Sequence, residues 1–369
     1  MISLDKFLKA KTKEAPQHLI LAGAPEGHDA FLLGGVVAAG DAETILQVCA
    51  DDARMARLSA ALAFFHPGLE VLTFPAWDCL PYDRISPNPD IISQRIDTLT
   101  RLAEAKPDQR RIVLTTINAA MQRVPPRAAF RDRVLRLKLG DTIALAALTE
   151  FLARNGYGRT ETVREPGEFA IRGGIVDLYP SGVPEPMRLD FFGDALEAVR
   201  TFDPLTQRTT GTLDAVRLQP VSEVLFDEPA IQRFRARYRE QFGTVADDDP
   251  LYENVSAGHR FAGMEHWLPL YYDKLETLFD YLPDAAVTLD GSVEAMRHDR
   301  LATIADYYQA RLDTRRGQPI YRPVRPEQFT IEDKEWQALL RTRRVAELSA
   351  FAAPEGVPAF DAGARPVAG

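Results

Sequence analysis

The first 116 residues alternate between short apolar runs and longer stretches whose apolar residues lie three and four positions apart. The runs predict strands at residues 18–22, 44–49, 70–74 and 111–116. The longer stretches predict helices over residues 28–39, from Asp51 through Phe65, and over 90–105. Asp51 is a good N-cap for the second helix, in which Met55, Leu58, Leu62 and Phe65 follow at helical spacing. Strands that alternate with helices in this way predict a parallel sheet.

The pattern changes near residue 134. Residues 134–139 form a short apolar alternation, and residues 142–155 predict an amphipathic helix that Gly156 closes. Residues 161–208 alternate apolar and polar positions between glycines and prolines, which predicts short antiparallel strands joined by tight turns. Helical patterns return after residue 219, over residues 229–242 and in a Tyr- and Trp-rich stretch at 264–281.

This order of elements predicts an α/β chain in which a doubly wound parallel-sheet domain is interrupted by a small inserted α+β domain with an antiparallel sheet. We place the first part at residues 1–133, the inserted domain at 134–218, and the returning part at 219–352. Residues 353–369 have no periodicity, and they are predicted to be a disordered tail or the start of a linker.

Composition narrows the class of protein. With 369 residues the chain is too long for one ordinary core. No apolar run approaches the roughly 20 residues that span a bilayer, so no membrane association is expected. The two cysteines, Cys49 and Cys79, lie in separate apolar segments, and the six histidines are widely separated. We therefore predict a reduced cytoplasmic protein with neither a disulfide framework nor a metal site.

The net charge of −9 argues against a general nucleic-acid binder, which normally shows a basic surface. Basic residues do cluster between positions 123 and 138, at Arg123, Arg127, Arg131, Arg133, Arg136 and Lys138. This cluster has two interpretations. It is either a solvated linker between domains or a contact surface for a partner or for DNA phosphates.

The segment 23–30 is placed like a phosphate-binding loop, because it follows a strand and opens a helix. Gly23 and Gly27 fit such a loop, but Asp29 and Ala30 occupy the positions of the lysine and the Ser or Thr that bind phosphate and Mg²⁺. Pro25 also removes one N–H donor. We predict a decayed nucleotide site, no catalytic residue and no ATP hydrolysis, with a weak residual anion site left open.

Two other segments imitate functional sites. Asp227 and Glu228 end an apolar run like a metal-binding pair, but Pro229 favours a helix start that Asp227 caps. Trp77 and Tyr82 lie in a proline-broken loop, where they either anchor the loop on its own core or stack on bases.

The segment 161–208 has nine acids and five arginines and no residue pair suited to catalysis. Its net negative charge disfavours DNA, while arginine and exposed aromatic residues favour a protein partner. Alternation along one strand places Arg188 and Phe192 on one face, with Asp190 between them, and Phe191 on the opposite face.

Arg172 is the third candidate contact residue. It precedes Gly173 and Gly174, which would let a partner's backbone approach closely. As an alternative, Arg172 and Arg188 simply pair with Glu165, Glu168 or Asp190.

Several motifs resemble one known family. Residues 165–208 resemble the second domain that the excision-repair protein UvrB shares with the transcription-repair coupling factors, through Pro166–Phe169, Arg172–Gly174, Val176–Asp177, Arg188–Asp194, Phe202–Pro204 and Gln207–Arg208. Upstream, Pro75–Asp78, Leu80–Asp83, Ser86–Pro87 and Asp90–Arg95 are similar to the coupling factors rather than to UvrB.

The resemblance implies a helicase-like domain 1a, an inserted domain 2 and a returning domain 1b. It also implies that domain 2 binds UvrA, the damage-recognition ATPase, through Arg172, Arg188 and Phe192. RNA polymerase, double-stranded DNA and ATP would be bound by further domains of a full-length parent, of which this chain would be an N-terminal fragment.

We therefore predict a non-catalytic module, without a cofactor of its own, that recruits UvrA and links stalled RNA polymerase to nucleotide excision repair. The main alternative is a UvrB-like, ATP-dependent protein that loads onto damaged DNA. A third possibility is a DNA-binding protein that uses residues 123–138.

Overall fold

The computed structural model describes residues 18–40, 42–106, 109–245, 249–313 and 320–364. The strands are β1 (His18–Ala22), β2 (Thr44–Cys49), β3 (Glu70–Phe74), β4 (Arg111–Thr116), β5 (Leu135–Lys138), β6 (Gly158–Arg159), β7 (Glu168–Arg172), β8 (Ile175–Leu178), β9 (Met187–Phe192), β10 (Ala195–Phe202), β11 (Thr209–Leu213), β12 (Ala215–Leu218), β13 (Ala286–Asp290), β14 (Val345–Leu348) and β15 (Ala359–Asp361).

The α-helices are α1 (His28–Ala39), α2 (Asp52–Phe65), α3 (Pro89–Glu104), α4 (Ile117–Ala120), α5 (Leu145–Arg154), α6 (Glu228–Phe242), α7 (Pro250–Ser256), α8 (Leu278–Tyr281), α9 (Val293–Leu312), α10 (Pro326–Phe329) and α11 (Asp333–Arg341). Short 3-10 helices cover Arg127–Ala129 and Met264–Leu270.

The larger sheet is parallel throughout and has the strand order β15-β1-β14-β13-β2-β4-β3. Helices cover both of its faces. Leu33 of α1 and Leu62 of α2 pack on one face, and Ile96 of α3 and Trp336 of α11 pack on the other. Burial on both faces explains why the strands are almost continuously apolar, and it confirms the predicted α/β class with a parallel sheet.

The larger sheet is interrupted in sequence. Strands β13 and β14 follow the second sheet along the chain, yet they lie between β1 and β2. Where the chain leaves the larger sheet and returns to it, β5 and β12 pair as an antiparallel ladder, from Leu135 opposite Leu218 to Lys138 opposite Ala215. The entry and exit points of the intervening region are thus joined by backbone hydrogen bonds.

The second sheet has the order β11-β10-β9-β8-β7-β6 and is antiparallel except for the pair β6 and β7. Helix α5 packs on one face of this sheet, where Leu148 and Leu152 meet Val176, Leu189 and Leu196. We call the opposite face the outer face. Part of it is covered by a small buried cluster of Val163, Ala170, Tyr179 and Phe202, whereas Arg172 and Phe192 remain exposed.

The second sheet is anchored to α3 of the larger unit. Arg95 and Glu223 form a fully buried ion pair at 2.5 Å, and the indole nitrogen of Trp77 donates to the same carboxylate at 3.1 Å. The amide of Gly182 donates to the Ser93 hydroxyl at 2.9 Å. A buried pair of this kind is costly to break, so it fixes the segment that follows β12 against α3. The Gly182–Ser93 bond ties the connection between β8 and β9 to the same helix.

Three local expectations need correction. The helix predicted at 142–155 begins at Leu145, because Ile143 instead donates its amide to Asp194 and Thr142 bridges to Ala195. Phe65 is 42% exposed and lies outside the core, although Met55, Leu58 and Leu62 are buried as predicted.

The third correction concerns the predicted disordered tail. Residues 359–361 form β15, which pairs in parallel with β1 from Ile20 opposite Ala359 to Ala22 opposite Asp361. The edge of β1 would otherwise present unpaired backbone groups, and β15 satisfies them. Residues 365–369 lie outside the described residues.

Candidate protein-docking face and the 23–30 loop

The outer face is built from strands β7 to β10, whose register brings charged residues into rows. Asp177 of β8 lies opposite Arg188 of β9, which in turn lies opposite Arg200 of β10. In the next row, Ile175 lies opposite Asp190. Because side chains two positions apart point the same way, Phe192 continues this face beyond Asp190.

Asp177 is the polar centre of the outer face. Its side chain is 3% exposed and accepts hydrogen bonds from Nε and Nη2 of Arg188 at 2.7 and 2.9 Å. The hydrogen bond to Asp177 raises the pKa of Arg188. Asp177 Oδ2 also lies 3.9 Å from Nη1 of Arg172. The acid that pairs with these arginines is therefore Asp177, and the expected partners Glu165, Glu168 and Asp190 are wrong.

Arg188 is held more firmly than expected from the sequence. Its side chain is 21% exposed, and its guanidinium carbon lies 5.0 Å from the centre of the buried Phe202 ring. Asp190, which shares its face, pairs with Arg200 at 2.7 Å. Arg188 thus presents one edge of a fixed guanidinium to solvent.

Arg172 is the more accessible arginine, with 57% of its side chain exposed. It donates to the backbone carbonyl of Glu161. The neighbouring glycines serve the sheet itself, because Gly173 has a φ of +62° and a Cβ on Gly174 would lie 2.5 Å from the Phe191 carbonyl oxygen. The close approach of the neighbouring strand β9 therefore requires glycine at position 174. This explains Gly174 without the partner contact that the sequence suggested.

The alternation prediction for the adjacent aromatics is confirmed. Phe191 is 9% exposed and packs in the core with α5, whereas Phe192 is 77% exposed. Ile175, which is 39% exposed, lies diagonally across from Phe192 on the same face. Sequence reasoning missed Ile175, although its place directly after the Gly173-Gly174 turn was a usable signal.

The 23–30 loop has the geometry of an anion site that is already filled. Gly27 has a φ of +89° and precedes α1, whose first turn contains Asp29. Asp29 is 1% exposed and its Oδ1 accepts from the amides of Gly27 at 2.9 Å and Ala30 at 2.6 Å. These amides point where a phosphate would be bound, so the carboxylate takes its place.

Arg54 balances the charge of Asp29. Its guanidinium pairs with the other carboxylate oxygen, and it also lies 3.4 Å from Asp290 and 3.8 Å from Glu26. Burial raises the pKa of Asp290, which Arg54 opposes. The sequence places Asp29 at the position of the phosphate-binding lysine, and the structure shows that its carboxylate also occupies the amide donors.

Other donors of the loop are also used. The amide of Gly23 donates to the Phe351 carbonyl at 3.1 Å, and the amide of Ala24 donates to the Ser349 carbonyl at 2.9 Å. The Ala30 side chain is fully buried in the core. A weak residual anion site would have to displace these internal partners.

The remaining sequence motifs have structural roles. Asp227 caps α6 by accepting from the Ala230 amide at 3.1 Å, which confirms the capping interpretation. Trp77 and Tyr82 are 9% and 4% exposed, so they anchor their loop on the core.

The basic residues 123–138 are mostly engaged within the molecule rather than solvated. Arg123 pairs with Glu335 at 2.5 Å, Arg133 with Asp227 at 3.1 Å and Arg136 with Glu104 at 2.8 Å. Arg127 donates to backbone carbonyls at Asp280 and Tyr281. The solvated-linker interpretation is therefore wrong for Arg123, Arg127 and Arg133, which connect distant elements, whereas the side chain of Arg136 stays 58% exposed.

One Cys–His contact joins residues far apart in sequence. Sγ of Cys79 lies 3.8 Å from Nε2 of His266. Burial raises the pKa of Cys79 to about 12 and lowers the pKa of His266 to about 4. Both groups are therefore neutral near pH 7, and the pair does not form the thiolate–imidazolium couple of a nucleophilic enzyme.

Within the described ranges, no group of three or more His, Cys, Asp or Glu side chains is arranged to hold a metal ion. None of the helices described is both long enough and apolar enough to cross a bilayer.

Comparison with known proteins gives a consistent picture. Residues 135–224 match the family model of the UvrB interaction domain. The chain is 34% identical over 326 residues to the transcription-repair-coupling factor of Haemophilus influenzae, covering 88% of this chain and 28% of that protein. It is 36% identical over 264 residues to the Escherichia coli transcription-repair-coupling factor, covering 70% and 22% of the two chains. The corresponding Myxococcus xanthus protein is 32% identical over 279 residues, covering 72% and 22%. The chain thus spans about a quarter of the length of these relatives.

Proposed function

We propose that this chain, which matches the N-terminal region of the transcription-repair coupling factors, recruits UvrA to nucleotide excision repair at stalled transcription. The sequence matches support the coupling role as a whole. The proposal that UvrA is the partner is supported by the position of the outer face, which lies inside the segment matched by the UvrB interaction domain.

One observation supports this assignment most strongly: Phe192 is 77% exposed on the outer face, where Arg172 also keeps 57% of its side chain open to solvent. Aromatic and arginine side chains are the common hot spots of protein interfaces. Asp177 occupies the Nε and Nη2 side of Arg188, so Arg188 adds only its outer guanidinium edge, whose remaining N–H donors suit a carboxylate of the partner. We assign Arg172, Arg188 and Phe192 to the UvrA contact, with Ile175 as an apolar neighbour.

The proposal includes a helicase-like architecture for the larger unit. Domain 1a would comprise residues 1–133, domain 2 residues 134–218 and domain 1b residues 219–352. Support comes from the interrupted parallel sheet, which resumes at β13, and from the ladder of β5 and β12 at the base of the second sheet.

We also propose that this chain is non-catalytic and binds no cofactor of its own. The filled 23–30 loop supports this, because Asp29 and Arg54 occupy the space and the donors that a phosphate would need. The UvrB-like, ATP-dependent alternative has no such support. RNA polymerase, double-stranded DNA and ATP are proposed as partners of the parts of the longer relatives that this chain does not match, and the cytoplasm as the location.

The proposal is tested by capture of purified UvrA on the immobilised chain. Arg172→Ala should abolish capture while leaving the folded state intact, because this side chain is mostly exposed and makes few internal contacts. Arg131→Ala, at another exposed arginine, is the control and should capture UvrA like the parent. Equal capture by all three proteins would refute the assignment.

A further inference from the structure

A large open cleft lies on the side of the molecule formed after the second sheet. It has a volume of about 1060 Å³ and is bounded by the end of α6, residues 269–275, the end of α9 and residues 321–328. Neither the outer face nor the 23–30 loop contributes to it. We call it the basic cleft.

The charge of the basic cleft is opposite to that of the whole chain. Its lining includes the cations Arg123, Arg237, Lys274, Arg311, Arg322 and Arg325, against the acids Glu240 and Asp273. The chain as a whole has a net charge of −9. A local excess of positive charge in a concave surface focuses the electrostatic field and attracts anionic groups.

Some of these charges are cancelled by internal pairs and others are not. Arg237 pairs with Asp273 at 2.8 Å, Arg123 with Glu335 at 2.5 Å and Arg325 with Glu327 at 3.1 Å. Arg322 is instead held by the backbone carbonyls of Phe242 at 2.8 Å and Thr244 at 3.3 Å. These neutral acceptors fix the direction of the guanidinium without cancelling its charge. Lys274 is exposed and forms no ion pair with any residue of the described ranges.

The walls between the cations are apolar. Leu270, Tyr272 and Leu275 are buried beneath the cleft, and Pro269 and Pro323 also line it. A guanidinium next to an apolar wall suits a ligand that offers carboxylates and hydrocarbon side chains together.

We propose that the basic cleft binds an extended peptide segment in which Asp and Glu alternate with apolar residues. A nucleic acid fits less well, since the net negative charge of the chain repels a long polyanion and a phosphate backbone makes no use of the apolar walls. The peptide's carboxylates would meet Lys274 and Arg322, and its apolar side chains would rest near Leu275.

The test is fluorescence anisotropy of the whole chain with a labelled peptide that alternates glutamate with leucine and serine. A peptide with lysine for every glutamate and a labelled oligothymidylate are run in parallel. Saturable binding of the acidic peptide is expected, with affinity that falls as salt is added. Lys274→Glu should weaken it by about tenfold. Lys334→Glu, the same charge reversal at an exposed lysine outside the cleft, should leave it unchanged.

Arg322→Gln gives a second variant, with thermal melting to verify that it folds; if it does not fold, Lys274→Glu alone decides. Failure of the acidic peptide to bind, binding of the oligothymidylate in its place, or an equal loss in Lys274→Glu and Lys334→Glu would each overturn the proposal. Capture of UvrA should be the same for Lys274→Glu as for the parent, so the outcome is independent of the outer face.

Discussion

The 23–30 loop and the outer face each contain a buried aspartate paired with an arginine, but the two pairs have opposite consequences. Asp29 is 1% exposed and Arg54 10%, and together they fill the space in front of α1. Asp177 is 3% exposed and Arg188 21%, and around them Arg172 and Phe192 remain open to solvent. In the first pair, Asp29 occupies the backbone amides that an anion would need. In the second pair, Asp177 holds Arg188 in place while part of its guanidinium stays exposed.

The comparison shows that a buried Asp–Arg pair does not by itself indicate whether a binding site is present or has been lost. What matters is whether backbone donors and exposed side chains remain available around it. In the loop, the amides of Gly27 and Ala30 are satisfied by Asp29 itself. On the outer face, the pairing with Asp177 leaves part of Arg188 exposed, and Phe192 farther along the same strand is 77% exposed.

The largest expected effect is loss of the buried carboxylate in the loop. Asp29→Ala leaves the Arg54 guanidinium nearly buried with the more distant Asp290 and Glu26, and it frees two amides. We expect a destabilisation of about 3 kcal/mol, the lower end of the cost of breaking a buried pair. Chemical denaturation of the variant and the parent measures it. A change below about 0.5 kcal/mol, the usual range for surface substitutions, would show that Asp29 does not fill the loop as described.

The second effect concerns the outer face. Arg188→Glu places a carboxylate beside the buried Asp177, so we expect it to destabilise the fold by about 2 kcal/mol. Arg172→Ala is the matched comparison and should change stability by less than about 0.5 kcal/mol. Equal stability of the two variants in urea would contradict the central role of Asp177.

A smaller effect is expected from Asp290, whose pKa burial raises. A carboxyl with a raised pKa in the folded state binds its proton more tightly there than in the unfolded chain. Its stabilising contribution is therefore present at low pH and is lost as the pH rises through the folded-state pKa. The stability of the parent relative to Asp290→Asn should therefore fall as the pH rises from the ordinary pKa of an aspartate through the raised folded-state pKa. A rise with pH would be the opposite sign and would refute the assignment.

The smallest expected effect concerns the 23–30 loop, where we expect that restoring two side chains does not restore Mg-ATP binding. A double variant, Asp29→Lys with Ala30→Ser, restores the side chains that a phosphate loop needs. It should still show no saturable Mg-ATP binding by calorimetry, because Pro25 has no N–H and the amides of Gly23 and Ala24 donate to residues 351 and 349. The parent chain serves as the control. Saturable binding by the double variant would mean that the side chains at positions 29 and 30 abolished the site, and that Pro25 and the occupied amides of Gly23 and Ala24 did not.

Much of the local structure could be predicted from the pattern of residues. The strands of the larger sheet were predictable because apolar runs between helical stretches mark buried parallel strands. The opposite burial of Phe191 and Phe192 followed from alternation along β9. The cap at Asp227 followed from its place before Pro229.

What could not be predicted depends on contacts between distant positions. Arg54 meets Asp29 across 25 positions and Asp290 across 236, and no local pattern indicates such a meeting. The pairing of Asp177 with Arg188 depends on the register of β8 and β9. Strand β15 forms because the edge of β1 is available, although residues 359–361 have no strand pattern of their own.

The most direct test of the central claim is the affinity of purified UvrA for two matched phenylalanine variants. Phe192 is 77% exposed on the outer face, and Phe64 is 79% exposed on α2. Calorimetry should show that Phe192→Ala weakens UvrA binding by about 2 kcal/mol, roughly 30-fold, whereas Phe64→Ala binds like the parent. Unchanged affinity for Phe192→Ala, or an equal loss for Phe64→Ala, would contradict the account.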